Sequence, residues 1–259
     1  MSVPNKIFII PYRNRENQKT HFEIYMKYLL EDIPVDEYEI YFVHQCDHRP
    51  FNRGAIKNIG FVAMKNKYPN NYKDITFIFN DIDTLPYKKH LLDYNTKSGT
   101  IKHYYGFEFA LGGIFSITGE DFEKIDGFPN FWGWGLEDNM IQRRVLNKKL
   151  IIDRTNFYSV HSSEILQIHN DVYRLVTNRT PDLIKKLATD GLKDIQNLNY
   201  KIENNMINVT SFTVPDLPEQ DQFFHQDLFK DNRLINNRLE KQQKIEKMNR
   251  FKMSNFLHK

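Results

Sequence analysis

Thirteen consecutive residues, Gly127-Phe-Pro-Asn-Phe-Trp-Gly-Trp-Gly-Leu-Glu-Asp-Asn139, hold both tryptophans of the chain, three glycines and the adjacent carboxylates Glu137 and Asp138. A carboxylate can take a proton from a reacting hydroxyl. A tryptophan offers a flat apolar face and one N–H donor, which suits a sugar ring. Glycines let the backbone turn sharply and approach a ligand closely. The plain alternative is a buried Gly/Pro loop with two core tryptophans. Paired acids are rarely buried, so the stretch is read as an exposed functional loop with Glu137 and Asp138 as its acids.

Other constellations could meet a phosphorylated ligand. Asp81-Ile82-Asp83 follows an apolar run. In an extended chain alternate residues face one way, so both acids could face one site. Carboxylates together with phosphate oxygens suit Mn2+ or Mg2+; a solvated turn is the bland reading. Pro11-Tyr12-Arg13-Asn14-Arg15 carries two arginines around an aromatic, a set that can clamp a diphosphate and stack a base or be an exposed basic turn. Phe51-Asn52-Arg53-Gly54-Ala55 opens a helix, whose N-terminus favours anions. There Arg53 is a phosphate candidate, and Phe51 a packing or base contact. His161 is a candidate metal ligand or a structural histidine. Gly112-Gly113 allows a close backbone approach or marks a bulge.

The elements that must carry these residues alternate. Strands are predicted at Lys6–Ile10, Tyr38–His44, Ile75–Phe79, Leu111–Thr118 and Met206–Val214. Helices are predicted at Glu16–Leu30, Ala55–Tyr68, Gly119–Ile125, Glu137–Leu150 and Asp182–Ala188. Strand–helix alternation implies a mainly parallel α/β sheet. In such sheets ligands bind beyond the carboxyl ends of the strands, where Pro11–Arg15 and Asp81–Asp83 fall.

A chain of 259 residues can bury a sizeable core. A net charge of +3 is too weak to argue for nucleic acid. No run approaches the length of a membrane span, and the N-terminus has no signal-like segment. The single cysteine, Cys46, rules out an intrachain disulfide. Together these lead to an expected cytoplasmic location. From Gln226 onward nine Lys/Arg stand against four Asp/Glu. The expected organisation is a domain over residues 1–217 and a basic helical extension over 218–259. The extension either docks to the core through Leu228, Ile235 and Leu239 or meets a partner or anionic surface.

Taken together, the blocks Ile10–Arg15, Phe51–Phe61, Asp81-Ile-Asp83 with Leu85-Pro86, Gly112-Gly113, Gly127–Asn139, His161 and Asp190-Gly-Leu192 resemble the β-1,4-galactosyltransferase family, in family order and over roughly residues 6–215. The resemblance implies a Rossmann-like GT-A fold and inverting transfer of galactose or N-acetylgalactosamine from a UDP-sugar to a carbohydrate acceptor, dependent on Mn2+ or Mg2+. It makes Asp83 and His161 metal ligands, with a third ligand position at Tyr158 or Ser159. It makes Asp138 the base, with Glu137 beside it, and Trp134 the mobile-loop tryptophan at the sugar. Pro11, Tyr12, Arg13, Arg15, Phe51, Arg53, Asp81, Ala110 and Gly113 become the donor-binding set. Many members carry an acid at the place of Asn139 and an aromatic at the place of Ala110. Alanine there leaves space for a 2-acetamido group. The rival readings are a retaining enzyme resembling the polypeptide N-acetylgalactosaminyltransferases, metal-dependent phosphoryl transfer on Asp81, Asp83, Glu137 and Asp138, and an inactive binding module.

Overall fold

The computed structural model describes residues 2–168, 173–177, 189–216 and 223–227. The helix expected at Asp182–Ala188 and the basic extension beyond Asp227 lie outside the described residues. The chain divides into a large unit, Met1–His169 with Leu175–Phe224, and a second, Asn170–Arg174 with His225–Lys259. The large unit carries every candidate site residue.

Its centre is β1 (Lys6–Tyr12), buried along its whole length. A strand covered on both faces reads as a continuous apolar run, and KIFIIPY is one. Helix α1 (Glu16–Leu29) leads to β2 (Tyr38–Gln45), parallel to β1 on one side. Helix α2 (Arg53–Lys67) then leads to β3 (Thr76–Asn80), parallel to β1 on the other. The order therefore reverses at β1. α1 covers one sheet face through Phe22, Met26 and Leu29, spaced for a helical stripe. α2 packs on the other through Ala55, Ile56, Ile59 and Met64.

The second half mixes antiparallel and parallel pairing. β4 (Thr84–Pro86) leaves the sheet, and β5 (Thr100–Phe107) and β6 (Ala110–Thr118) form a hairpin whose second strand pairs with β3. α3 (Gly119–Lys124) and α4 (Glu137–Asn147) follow, then β7 (Ile151–Asp153) and β8 (Tyr158–Ser159), both parallel to β5. β9 (Ile165–Gln167) pairs with β4, and β10 (Tyr173–Thr177) with the last described strand, β13 (Phe223–Asp227). β11 (Gln196–Glu203) and β12 (Met206–Thr213) close the far side, β12 beside β2. The main sheet runs β11-β12-β2-β1-β3-β6-β5-β7, with β8 also on β5.

Every strand expected among the described residues is present, and so are four helices. β4, β5, β7–β11 and β13 lie outside the strands expected. Polar and apolar residues mix without a clean period in TIKHYYGF, and the others are short except β11. QNLNYKIE does alternate, with Leu198, Tyr200 and Ile202 on one face, so β11 could have been read. α4 stops at Asn147 rather than Leu150, because Lys149 takes a left-handed φ of 57° and ends the helical ladder. No helix among the described residues is long and apolar enough to cross a membrane.

Candidate active site

The site begins with how α2 meets the 127–130 loop. Asn52 caps α2 by accepting from the Ala55 amide at 2.9 Å, and its own amide donates to the Asn130 carbonyl at 2.6 Å. One turn on, Asn58 donates to the Phe128 carbonyl and the Asn130 side chain, and accepts from the Phe128 amide, each at 2.8 Å. A Cβ on Gly54 would lie 2.1 Å from the Pro129 carbonyl oxygen, so only glycine permits this approach. The helix is thereby pinned to the loop that leads into α4. Arg53 and Lys57, one turn apart, come to face the first residues of α4.

Those residues are Glu137 and Asp138. Arg53 donates to Glu137 at 2.6 Å, to Asp138 at 3.2 Å, and to both oxygens of Asp81. Lys57 donates to the other Asp138 oxygen at 3.2 Å and lies 4.5 Å above the Phe128 ring. Glu137 also accepts from the Gly135 amide at 3.0 Å. Glu137 is buried, on the same helical stripe as Ile141 and Val145. The expectation that adjacent acids mark an exposed loop is thus corrected: Glu137 is buried and Asp138 partly so, because the cations Arg53 and Lys57 are packed against them. Burial and the neighbouring Asp138 charge raise the Glu137 pKa. For Asp138 burial pushes the same way, but Lys57 and Arg53 overcome it and hold the carboxyl below its ordinary value. Burial weakens the charged form of Arg53 too, yet the three carboxylates outweigh this and raise its pKa further.

Asp138 rests against the hairpin backbone. A Cβ on Gly112 would meet its Oδ2 at 2.3 Å. Gly113, at φ 69°, presents its carbonyl to the Asp81 amide at 3.0 Å. Beneath them lies His103, which sequence reasoning missed along with its strand. Its Nε2 lies 3.0 Å from the Gly112 carbonyl and 3.1 Å from that of Tyr105, and Arg154 donates to Nδ1 at 3.0 Å. The ring is therefore a neutral Nε2–H tautomer, and burial with Arg154 lowers its pKa to about 4. At the hairpin tip Phe107 and Phe109 stack on each other and stand exposed, 5.1 Å between centroids. The Phe109 carbonyl accepts from Asn139 at 3.1 Å, which ties the tip to the start of α4. Ala110 is buried at the base of that tip.

Asp81 and Asp83 do not lie in extended chain as expected. The Asp81 carbonyl accepts from the Thr84 amide at 3.2 Å, closing a turn, and its carboxylate is spent on Arg53. The turn still brings Asp83 toward the segment around Tyr158. Tyr105 pairs with Tyr158 across β5 and β8, and both Asp81 and Asp83 act on the Tyr105 hydroxyl. His161 follows in a left-handed turn at φ 75°. Among the described residues no three His, Cys, Asp or Glu side chains gather as a metal cage. A carboxylate and an imidazole are donor types that suit a divalent ion taking its remaining ligands from phosphate oxygens. Tyr158, half-buried in β8, adds a phenol of poor ligand character.

At the carboxyl ends of β1 and β2 a cleft of about 360 Å³ is lined by Arg13, Asn14, His48, Arg49, Pro50 and Phe51. Arg13 donates to the carbonyls of Arg49 and Asp47, at 2.5 and 2.8 Å, and so shapes the wall as well as charging it. Arg49 lies over both Trp132 and Phe212, 4.7 and 4.4 Å from their centroids. Pro11 and Tyr12 are buried at the end of β1, and Arg15 opens α1 beside the cleft-lining turn. The two tryptophans separate: Trp132 is fully buried, whereas Trp134 is 39% exposed on the glycine-flanked loop.

A sheet that reverses at β1, with acids at the end of β3 and a Gly-Gly strand beside the head of α4, is the GT-A glycosyltransferase fold. The structure matches the catalytic domain of Drosophila β1,4-galactosyltransferase 7 in complex with xylobiose, with a TM-score of 0.67 at 22% identity over 85% of this chain and 98% of that one. It matches a mutant of that enzyme, in complex with manganese, UDP-Gal and xylobiose, with a TM-score of 0.64 at 20% identity. Residues 2–95 match the family model described as the N-terminal region of glycosyl transferase group 7, and residues 94–169 the one described as the N-terminal domain of galactosyltransferase. The chain belongs to the β-1,4-galactosyltransferase family. It is 32% identical to mouse β-1,4-galactosyltransferase 1 over 59% of its length, and 33% identical to human β-1,4-galactosyltransferase 4 over 56%. With the Caenorhabditis elegans xylosylprotein 4-beta-galactosyltransferase it shares 31% over 60%. The matched stretch spans 40%, 44% and 55% of those relatives.

Proposed function

We propose that this protein is an inverting glycosyltransferase that moves galactose or N-acetylgalactosamine from a UDP-sugar to a carbohydrate hydroxyl, forming a β-1,4 linkage. One observation carries the reading: Asp138, held as a carboxylate by two buried cations, stands against the glycine backbone of the hairpin in a chain of this family. The acceptor hydroxyl attacks the anomeric carbon from the face opposite UDP. The new carbon–oxygen bond forms as the bond to the diphosphate breaks, and Asp138 takes the hydroxyl proton. The cleft with Arg13, Arg49 and Phe51 receives the nucleotide, and its arginines answer the diphosphate charge. Asp83 and His161 would hold Mn2+ or Mg2+ together with that diphosphate, and the bound ion supplies charge neutralisation for the leaving UDP. Trp134, exposed between Gly133 and Gly135, closes over the donor sugar and excludes water. Ala110 leaves the donor pocket open to a 2-acetamido group, and the acceptor meets Asn139 and the Phe107–Phe109 tip.

Two-ion phosphoryl transfer needs Asp81, Glu137 and Asp138 turned toward metals, whereas all three are gathered on Arg53. The test is a screen of UDP-sugars with Mn2+ and carbohydrate acceptors, read by UDP release and by the anomeric configuration of the product in NMR spectra. A β product from an α-linked donor supports the reading. Retention of configuration, or release of inorganic phosphate without glycoside, overturns it.

A further inference from the structure

We propose that Lys57 is a positioning residue: the buried counter-charge that keeps Asp138 a carboxylate and turns it to the hairpin. The inference rests on the reading of Asp138 as the base.

Lys57 is 1% exposed and sits one turn after Arg53 on α2. Its ammonium meets Asp138 at Oδ1, while Arg53 meets the same carboxylate at Oδ2. The carboxylate is thus gripped on both oxygens, and its plane is set by two side chains of one rigid helix. Beneath the ammonium is the Phe128 ring, which favours a cation and offers it no proton acceptor. A lysine this deep stays charged only beside an anion. Asp138 is the ion-pair partner that the geometry provides.

The charge balance shows why Arg53 alone does not suffice. The groups facing Asp138 are Arg53 and Lys57 from α2, Glu137 from its own helix, Asp81 from the end of β3 through Arg53, and the neutral His103 from β5. β6 contributes only the Gly112 backbone. With every acid ionised, three negative charges meet two positive ones. Without Lys57 they would meet one. The cheapest response in a buried site is for one of the adjacent acids to keep a proton, and a protonated Asp138 cannot accept another. Arg53 is also shared with Asp81, a donor-side residue, so its grip on Asp138 is divided. Among the described residues Lys57 makes an ion pair with Asp138 and none with Asp81 or Glu137. In the transfer Lys57 only positions the carboxylate, and the hydroxyl proton ends on Asp138.

The experiment compares wild type, Lys57→Met and Lys57→Arg. Methionine keeps the length and apolar bulk of the stem but removes the charge. Asp138 is followed directly through its side-chain carboxyl signal in 13C-Asp-labelled protein titrated with acid. Transfer is followed as kcat/KM against pH. Lys57→Met is expected to move both the Asp138 titration and the acid limb of kcat/KM upward by at least one pH unit, with UDP affinity held within twofold. Lys57→Arg is expected to restore both to wild type. An Asp138 titration in Lys57→Met that overlays wild type overturns the proposal. If wild type proves to transfer no sugar, the functional reading fails, and the carboxyl titration still decides the role of Lys57. If Lys57→Met folds poorly, Asp138→Asn in the same chain removes the orphaned charge and is expected to recover the lost Tm; no recovery overturns the pairing.

Discussion

Glu137 and Asp138 are adjacent and pushed in opposite directions: burial and the Asp138 charge prevail at Glu137, whereas Lys57 and Arg53, both hydrogen-bonded to Asp138, outweigh burial there. On the function proposed above, that difference favours Asp138 over Glu137 as the base. Asp138→Asn keeps the shape and loses the basicity, so kcat is expected to fall roughly 10²-fold or more while UDP binding by calorimetry is kept. Turnover near wild type would assign the role to Glu137. Arg53 holds three acids, and Arg53→Ala leaves Glu137 and Asp81 without their cation and Asp138 with Lys57 alone, at about 3–5 kcal/mol in urea unfolding. His103 makes a separate prediction. Burial and Arg154 lower its pKa to about 4 in the fold, against about 6.5 in an unfolded chain. As pH falls, the unfolded chain takes the proton first. Stability that is complete above pH 6.5 is therefore lost between about 6.5 and 4, by about 3 kcal/mol. His103→Gln is expected to flatten this slope in unfolding curves between pH 7 and 4.5; an unchanged slope would assign it elsewhere.

At the scale of elements, the site is the meeting of one helix, one loop and one hairpin. α2 carries both cations, the 127–130 loop is locked to it through Asn52 and Asn58, and β6 brings Gly112 against Asp138. Two glycines separate stability from chemistry. Gly54→Ala drives a methyl into the Pro129 carbonyl, which belongs to rigid backbone, so the expected effect is a loss of about 1–3 kcal/mol or more, read as a lower Tm. Gly112→Ala drives it into the Asp138 carboxylate, which can turn only by leaving Lys57 or Arg53. There the expected loss is in kcat, on the order of 10²-fold for a displacement of about 1 Å, with the Tm less affected than in Gly54→Ala. A Gly112→Ala enzyme with normal turnover would show that Asp138 has room to spare.

Distant parts of the large unit's chain meet around the cleft lined by Arg13, Arg49 and Phe51. β12 lies beside β2, and the residues after it return to Trp132: Asp216 accepts from the Trp132 amide at 3.0 Å and the indole N–H at 2.7 Å. Trp132 stacks on Phe212, and Arg49 of the cleft wall covers both rings. Asp216→Ala strips a buried amide of its acceptor, at about 1–3 kcal/mol. The near-UV circular dichroism of Trp132 is expected to weaken, and the KM for the donor to rise as the wall loosens. A KM that does not move would show that the cleft stands without this buttress.

Much of this was legible in the residues alone. Continuous apolar runs fixed β1 and β3, and the motifs at Pro11–Arg15, Phe51–Ala55, Asp81–Asp83 and Gly127–Asn139 fell at strand ends or helix starts, as local chain geometry requires. Lys57 was not singled out in the sequence, because nothing near it in the chain names its partner. What only the tertiary structure decided is which charges meet. Glu137 and Asp138 are more than eighty residues from Arg53, and whether an adjacent acid pair faces water or a buried guanidinium depends on the packing of α2 against the loop. The same holds for β5, whose mixed pattern concealed a buried histidine under the Gly112 carbonyl. Local propensity sets where helices and strands can form; the ionisation of a buried group is set by neighbours that folding brings from elsewhere in the chain, because its pKa answers to desolvation and charge over a few ångströms and not to sequence distance.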